Sequence, residues 1–333
     1  MDRTAPAQTK LVICIWHKFT LWQAPRELAG KISARWPEMK VVYLPNYEHV
    51  ADEIPDTDIL VGFSLRPEQF SLAKQIKWIH ATAAGVGQLM YPALRHSGIA
   101  VTNARGIHSE PMAEHILGTI IALARRFPDA FRYQQRSHWA QQEIWDARPQ
   151  ELQGQTLLIV GFGSIGRELA RLAQPLRMRI WGVTRSGSGD AQFAERIFPV
   201  AELESVLPQA DFVVLAAPET PQTQKMFGAK ELSRMKPSAH FINVARGTLV
   251  DQAALTAALQ SRKIAGAALD VTEHEPLPPE DPLWKLENVF ITPHISAVTD
   301  RLWHRQEALL MENLERWFSG RELLNRVDLQ RGY

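Results

Sequence analysis

The sequence predicts an α/β protein built from two domains, each with a doubly wound parallel sheet. Short apolar runs typical of buried strands alternate with amphipathic, helix-like stretches along most of the 333 residues. This alternation is typical of parallel sheets that are covered by helices on both faces. At about 100–200 residues per domain, the length gives room for two full-sized cores.

The first third of the chain contains the first strand series. Strands are predicted at residues 10–15, 40–44, 58–62, 77–81 and 99–102, with helices at 25–35 and 67–75. Each apolar run is short and bounded by polar or turn-forming residues, which favours strands over helices.

The middle of the chain differs from the strand series. Residues 111–126 carry apolar side chains at helical spacing, among them Ile116, Ile120 and Leu123, and Pro128 follows them. Such a helix could join two domains, dock on a partner subunit or be an ordinary core helix. Residues 132–153 are polar apart from Trp139 and Trp145, and we expect an irregular connection there.

The second strand series follows. Strands are predicted at residues 156–160, 179–183, 211–216, 240–244, 264–269 and 289–292, and a last helix at 299–319. Six strands with intervening helices make a complete doubly wound nucleotide-binding unit.

Composition excludes several classes of protein. The chain has 37 basic and 36 acidic residues, so it lacks the basic excess of a nucleic-acid binder. No stretch approaches the roughly 20 apolar residues of a membrane span. Residues 1–10 are polar, the apolar run at 11–15 is too short for a signal peptide, and Cys14 is the sole cysteine. We therefore expect a cytoplasmic protein without an intramolecular disulfide.

Metal and hydrolytic chemistry have no support in the sequence. His108, His115 and His138 show no recognisable ligand spacing, and one cysteine cannot form a CxxC pair. No GxSxG nucleophile elbow is present. We therefore expect no metal site.

The sharpest local motif is the glycine-rich turn GFGSIG at residues 161–166, between the apolar run 157–160 and the helix-like segment 167–174. Gly161 allows a tight turn, Gly163 lets the backbone approach a pyrophosphate, and Gly166 lets helix and strand pack closely. Ser164 and Ile165 lie at the start of the helix, whose free N–H groups would face the phosphates. The motif predicts a Rossmann-like dinucleotide site.

The end of the next strand indicates which dinucleotide is bound. NAD sites usually place Asp or Glu about 20 residues downstream of the glycines, to bind the ribose hydroxyl. Here Thr184 stands at that place, and its neighbours Arg185 and Ser186 could bind a 2′-phosphate. We predict that NADP is preferred and that NAD remains possible. The alternative is that Arg185 is a solvated surface residue.

Three polar residues near the ends of later strands suggest one catalytic unit. Arg246 follows the strand-like run 241–245, Glu275 lies in the loop EHEPLP, and His294 follows the last strand. An arginine fork can hold a carboxylate, and a histidine can give a proton to a carbonyl oxygen as hydride arrives. A glutamate bound to the other ring nitrogen would orient the imidazole. Taken singly, each residue is more often a surface or capping residue.

Together these motifs resemble the D-isomer-specific 2-hydroxyacid dehydrogenase family over most of the chain. The stretches that carry the resemblance are GFGSIG, residues 236–251 with INVARG, ALDV at 268–271, EPLP at 275–278 and TPHI at 292–295. The resemblance implies that Arg246 binds the substrate carboxylate, His294 is the acid/base, Glu275 is its partner and Asp270 holds the nicotinamide carboxamide. Further expected cofactor contacts are Pro218, Thr223, Ala245, His294 and Ala297.

The resemblance also implies the architecture. Two Rossmann-like or flavodoxin-like domains are expected, a discontinuous substrate domain of residues 1–104 and 296–333 and a cofactor domain of residues 105–295. The active site would lie in the cleft between them. Backbone amides of Ala84 and Gly85 would contact the substrate, although Gly87 stands where many relatives have Asp. Family members are commonly homodimers joined through the cofactor domains and the long helix that starts near Pro111. Trp139 or Trp145 could reach a partner's pocket, and the alternative is that both make ordinary packing contacts.

More than one function is compatible with these motifs. Related formate dehydrogenases carry Gln where Glu275 stands, which favours 2-hydroxy acid chemistry here. Some relatives are dinucleotide-sensing corepressors, although no added peptide-binding region is visible. We expect reduction of a glyoxylate- or hydroxypyruvate-type acid, with a bulkier apolar 2-oxo acid as a close second. A phosphorylated substrate would require additional basic residues, and the segment Ser64-Leu65-Arg66 offers one.

Overall fold

The computed structural model describes residues 9–331, so most of the polar segment 1–10, on which the expectation of no targeting signal rests, lies outside it. The chain divides into two compact units. The first comprises Met1–Ile107 and Thr299–Tyr333, and the second comprises His108–Val298. No helix within the described residues is long and apolar enough to cross a membrane.

The first unit contains a five-stranded parallel sheet in the order β2-β1-β3-β4-β5. Its strands are β1 (Lys10–Cys14), β2 (Lys40–Leu44), β3 (Ile59–Gly62), β4 (Trp78–Ala81) and β5 (Ala100–Thr102). Its helices are α1 (Glu27–Arg35), α2 (Val50–Glu53), α3 (Pro67–Leu72), α4 (Pro92–Arg95) and α12 (Leu302–Phe318). In the register, Cys14 lies beside Gly62 and Gly62 lies beside Ala81. The loops that follow β1, β3 and β4 therefore start side by side at one edge of the sheet.

The core of this unit has two layers of helices because the sheet is apolar on both faces. On one face Leu28 and Ile32 of α1 pack with Leu310 and Leu314 of α12. Trp317 of α12 stacks on Trp78 of β4 with ring centroids 5.5 Å apart. The C-terminal helix is thus part of the first unit's core.

The second unit contains a seven-stranded parallel sheet in the order β12-β11-β10-β9-β6-β7-β8. Its strands are β6 (Thr156–Val160), β7 (Arg179–Thr184), β8 (Arg196–Pro199), β9 (Phe212–Leu215), β10 (His240–Asn243), β11 (Gly266–Leu269) and β12 (Val289–Ile291). Its helices are α5 (Ser109–Ala124), α6 (Phe127–Gln135), α7 (Gln141–Asp146), α8 (Ser164–Ala173), α9 (Leu203–Val206), α10 (Ala229–Arg234) and α11 (Gln252–Gln260). The strand order reverses between β6 and β9, and ligands bind at such a switch point in open α/β sheets.

The predicted fold class is confirmed, and two local predictions are wrong. Residues 132–153, expected to be irregular, contain the end of α6 and all of α7. Neither helix buries a residue, and large apolar side chains that they carry, such as Phe131 and Trp145, are exposed. The second sheet has seven strands rather than six. The strand that was not predicted is the edge strand β8, which has four residues and buries only Phe198.

The long apolar helix is a core helix of the second unit. Ile116 and Ile120 of α5 are fully buried and pack with Leu169 and Ala170 of α8. This contact accounts for the buried stripe that the sequence showed at residues 111–126.

Candidate active site

The glycine turn joins β6 to α8, and its first and third glycines are required by the backbone. Gly161 has φ +98°, and a Cβ there would lie 2.4 Å from the amide nitrogen of Ala217. A Cβ on Gly166 would lie 2.8 Å from the carbonyl oxygen of Gly161. These two positions exclude side chains because helix, strand and turn pack closely.

The second glycine of the turn has a different environment. A Cβ on Gly163 would meet no described atom within 4 Å, and Gly163 is the exposed N-cap of the ten-residue helix α8. No side chain caps this helix, so its first N–H groups are available to an anion. The open space and the free amides fit the pyrophosphate of a dinucleotide. Ser164 and Ile165 are the first two residues of α8.

The residues predicted to select the dinucleotide lie on the loop after β7. This strand neighbours β6, with Val160 beside Val183, so the loop is at the same edge of the sheet as the glycine turn. The Thr184 hydroxyl donates to the Ser188 carbonyl and accepts from the Gly187 amide, both at 3.0 Å. These bonds fold the loop back, and Arg185 and Ser186 are exposed on it.

The expected contacts after β9 form a closed loop at the same edge. The Thr223 hydroxyl donates to the Pro218 carbonyl at 2.8 Å and accepts from the Thr220 amide at 2.8 Å. Ala297 lies further along the chain, beyond β12, and is half-buried. The roles of Pro218, Thr223 and Ala297 toward a cofactor stay predictions.

Arg246 is held at the end of β10 by a buried asparagine. Asn243 donates from Nδ2 to the Arg246 carbonyl at 3.1 Å and accepts at Oδ1 from the Ala245 amide at 3.0 Å. The Arg246 guanidinium is exposed and donates to the Ala245 carbonyl at 2.6 Å. A Cβ on Gly247 would lie 2.0 Å from the Thr272 carbonyl, so this turn packs directly on the loop after β11.

His294 and Glu275 are in direct contact. The His294 Nδ1 lies 2.6 Å from the Glu275 Oε2, and the other carboxylate oxygen accepts from the Thr272 amide at 3.2 Å. The carboxylate therefore fixes the ring with its Nδ1–H toward Glu275. No described residue hydrogen-bonds the Nε2 of His294, whose side chain is about half exposed. A reacting group could therefore exchange a proton at Nε2.

The backbone of His294 adopts an unusual conformation. Its φ is +54°, in the left-handed region, and its amide donates to the carbonyls of Asp270 and Thr292. Such a conformation costs on the order of 1–3 kcal/mol for a residue other than glycine, and surrounding contacts must support it.

Asp270 supplies that support. Its carboxylate accepts from the Ile295 amide at 2.9 Å, the Ser296 amide at 3.0 Å and the Thr292 hydroxyl at 2.7 Å. Burial by itself raises the pKa of Asp270, but the hydrogen bonds from Ser296, Thr292 and Ile295 outweigh it and hold the pKa below its usual range. The carboxylate thus stays ionised and holds the chain both before and after His294. Whether it also holds a nicotinamide carboxamide stays a prediction.

Helix α5 adds a histidine that was not predicted as a site residue. The Nε2 of His115 lies 3.3 Å from the Thr292 hydroxyl and 3.9 Å from the Asp270 carboxylate. Burial lowers the pKa of His115, against the attraction of Asp270. The Thr292 hydroxyl donates its hydrogen to Asp270, so its oxygen can accept a hydrogen bond from Nε2–H of a neutral His115. Asn243, Thr292 and His115 were missed, although Asn243 at the end of an apolar run was a visible signal.

Topology explains why Arg246, Glu275 and His294 lie at the same edge of the second sheet. Strands β10, β11 and β12 are neighbours, with Asn243 beside Leu269 and residues of β11 beside those of β12. The three residues lie in the loops that follow these strands, at one edge of one sheet. The remaining predicted residues, Ala84 and Gly85, lie in the first unit, exposed on the loop after β4.

Two further predictions concern tryptophans and metals. Trp139 precedes α7 and is 88% exposed, and Trp145 within α7 is 63% exposed. Within residues 9–331 no group of three or more His, Cys, Asp or Glu side chains could hold a metal ion.

Comparisons with known proteins identify the relatives of this chain. The model of the D-isomer specific 2-hydroxyacid dehydrogenase NAD-binding domain matches residues 117–296. A glyoxylate reductase from Korarchaeum cryptofilum is 35% identical over 81% of this chain and 82% of its own length. A glyoxylate reductase from Pyrococcus furiosus is 34% identical over 80% of this chain and 81% of its own. A similar solved structure is the crystal structure of a D-isomer specific 2-hydroxyacid dehydrogenase from Xanthobacter autotrophicus Py2 in complex with NADPH and MES. It has a TM-score of 0.82 and 27% sequence identity to this chain, and the match covers 98% of this chain and 100% of that one.

Proposed function

Because this chain belongs to the D-isomer-specific 2-hydroxyacid dehydrogenase family and is therefore an oxidoreductase acting on 2-hydroxy acids, we propose that it reduces a small 2-oxo acid of the glyoxylate or hydroxypyruvate type with NADPH. The observation that carries the proposal is the His294–Glu275 contact of 2.6 Å, which leaves Nε2 available.

In the proposed reaction each residue has one task. The bound nicotinamide cofactor supplies the hydride. His294 gives the proton at Nε2 to the substrate's carbonyl oxygen, and Glu275 stabilises the imidazolium before transfer. Arg246 holds the substrate carboxylate with its planar fork, and Asn243 fixes the backbone from which that fork extends. Asp270 keeps the loop of His294 in its left-handed conformation.

The preference for NADPH has two supports in the sequence and one among relatives. Thr184 stands where a carboxylate would repel a 2′-phosphate, and Arg185 and Ser186 are exposed beside it. The dehydrogenase from Xanthobacter autotrophicus was solved with NADPH. We expect the protein to use NADH as well, but more slowly than NADPH.

The substrate class is supported by the two glyoxylate reductases that are 34–35% identical to this chain. A second candidate is a bulkier apolar 2-oxo acid, which an aromatic cluster in the first unit favours. In the loops after β1 and β3, the His17 ring lies 5.3 Å from Phe19, 6.5 Å from Trp22 and 6.3 Å from Phe63. A corepressor function is not favoured, since these relatives are named as reductases and dehydrogenases.

The proposal includes the expected organisation of the protein. The compact units support a substrate domain of residues 1–104 and 296–333 and a cofactor domain of residues 105–295. We further propose a cytoplasmic homodimer, in which one of the exposed Trp139 and Trp145 reaches the partner's pocket. Light scattering on a size-exclusion column would test it: a dimer mass supports the assembly, and a monomer mass overturns it.

The experiment that tests the proposed function is absorbance at 340 nm with purified protein. Glyoxylate, hydroxypyruvate, pyruvate and phenylpyruvate are each offered with NADPH and with NADH. We expect NADPH to be oxidised fastest with glyoxylate or hydroxypyruvate. A higher kcat/KM with phenylpyruvate would favour the bulkier class. Comparable or better efficiency with NADH would overturn the NADPH preference, and no oxidation in any combination would overturn the proposed reaction.

A further inference from the structure

The loop after β4 has its carbonyl groups held on one side. The Thr82 carbonyl accepts from Nε2 of Gln306 at 2.6 Å, and the Ala84 carbonyl accepts from Nδ2 of Asn103 at 2.7 Å. Between them, the Ala83 carbonyl accepts from the Ala104 amide at 3.1 Å. Three consecutive carbonyls are thus bound from two other parts of the first unit, helix α12 and the segment after β5.

The amide groups of the same peptides have no such partners. A trans peptide is planar, so its N–H points opposite to its C=O. The three bound carbonyls therefore direct the N–H groups of Ala83, Ala84 and Gly85 to the other side of the loop. Within residues 9–331 these three amides meet no hydrogen-bond acceptor, and Ala84 and Gly85 are exposed. Successive free amides on one side form a concavity that suits an anion.

The two side chains that hold the loop are buried polar residues. Gln306 and Asn103 are each only 3% exposed. Gln306 lies one turn from Leu302 and one turn from Leu310, on the buried stripe of α12. A buried amide side chain costs free energy unless it is hydrogen-bonded, and an apolar residue would pack there more simply. The hydrogen bond to the loop accounts for the glutamine at this position.

We propose that Gln306 and Asn103 are positioning residues that keep the loop amides turned toward the substrate carboxylate. The inference rests on the proposed function, which supplies a substrate with a carboxylate. A carboxylate only accepts hydrogen bonds, so a carbonyl oxygen turned toward it would repel it. Gln306 orients the peptide that carries the Ala83 amide, and Asn103 orients the one that carries the Gly85 amide.

The test compares Gln306→Leu, Gln306→Glu and Asn103→Ala with a matched control, Asn313→Leu. Asn313 is also buried on α12, but its amide bonds the backbone of Leu324 instead of the loop. With NADPH-saturated protein, the Kd of oxamate is measured by calorimetry, together with KM and kcat for the best 2-oxo acid. Melting temperature and the Kd of NADPH are recorded for every variant.

The loop variants are expected to raise the Kd of oxamate and the KM by about tenfold or more, since a hydrogen bond to a charged group is lost or misaligned. The Kd of NADPH should not change, and Asn313→Leu should lower the melting temperature without raising either constant. Unchanged oxamate binding in folded loop variants, an equal loss in Asn313→Leu, or no oxamate binding by the wild type would overturn the inference. If the wild type binds oxamate, the loop variants do not, and no 2-oxo acid is turned over, the positioning role is supported and the proposed function is overturned.

Discussion

Substitution by alanine should have different effects at two glycines of the GFGSIG turn: loss of fold stability at Gly161 and loss of cofactor affinity at Gly163. Gly161→Ala places a methyl group 2.4 Å from the Ala217 nitrogen at φ +98°, whereas Gly163→Ala places it in open space at φ −89°. The left-handed backbone costs about 1–2 kcal/mol and overpacking about 1–3 kcal/mol, so Gly161→Ala should destabilise the fold by about 2–5 kcal/mol. At about 2–4 °C per kcal/mol, the melting temperature should fall by about 4–20 °C.

Gly163→Ala should keep the wild-type melting temperature and lose affinity for the cofactor. The methyl group fills the space through which the pyrophosphate approaches the amides of α8. Loss of one or two hydrogen bonds to a charged group, at about 1.5–3 kcal/mol each, raises the Kd of NADPH by at least about tenfold. Calorimetric unfolding and a fluorescence titration with NADPH measure the two effects. Wild-type NADPH affinity in Gly163→Ala, or equal unfolding of both variants, would refute the assignment of this turn.

Three further predictions concern the site. His294→Ala should lower kcat by about 10²–10⁴-fold while the Kd of NADPH stays within about twofold, and near-normal turnover would contradict the acid/base role. Arg185→Ala should lower kcat/KM for NADPH by about tenfold and leave that for NADH unchanged; an equal effect on both would identify Arg185 as a surface residue. Asp270→Asn should destabilise the protein at pH 7. The folded state lowers the pKa of Asp270, so the stabilisation by its carboxylate is present above the usual Asp pKa of 3.8 and is lost as pH falls through the lower folded value. The stabilities of wild type and variant, measured by unfolding curves, should therefore converge at that low pH. A constant difference in stability down to pH 2 would contradict this.

The sheets were predictable from the sequence because buried parallel strands are continuous apolar runs. The run at residues 156–160 is β6 without any change of bounds, and the run at 211–216 contains β9. The edge strand β8 was not predictable, since only Phe198 is buried and the strand ends at a proline. Helices α6 and α7 were missed because neither buries a residue: apolar side chains such as Phe131 and Trp145 are exposed and do not form the broad apolar face of a core helix.

The candidate site was predictable where residue type and position coincide. Arg246, Glu275 and His294 follow neighbouring strands of one parallel sheet, so their position at one edge of that sheet follows from topology. The supporting side chains were not predictable in the same way. Gln306 bonds a carbonyl 224 positions away, and His115 reaches Thr292 across 177 positions. Such contacts depend on how helices pack on the sheet, which local patterns do not encode.

The most direct test of the central claim follows both products of one reaction. Hydroxypyruvate and NADPH are incubated with the wild-type protein, and glycerate is resolved by chiral chromatography while NADP⁺ is quantified in the same sample. The account predicts one D-glycerate for each NADPH oxidised. Formation of L-glycerate, or NADPH oxidation without glycerate, would contradict it.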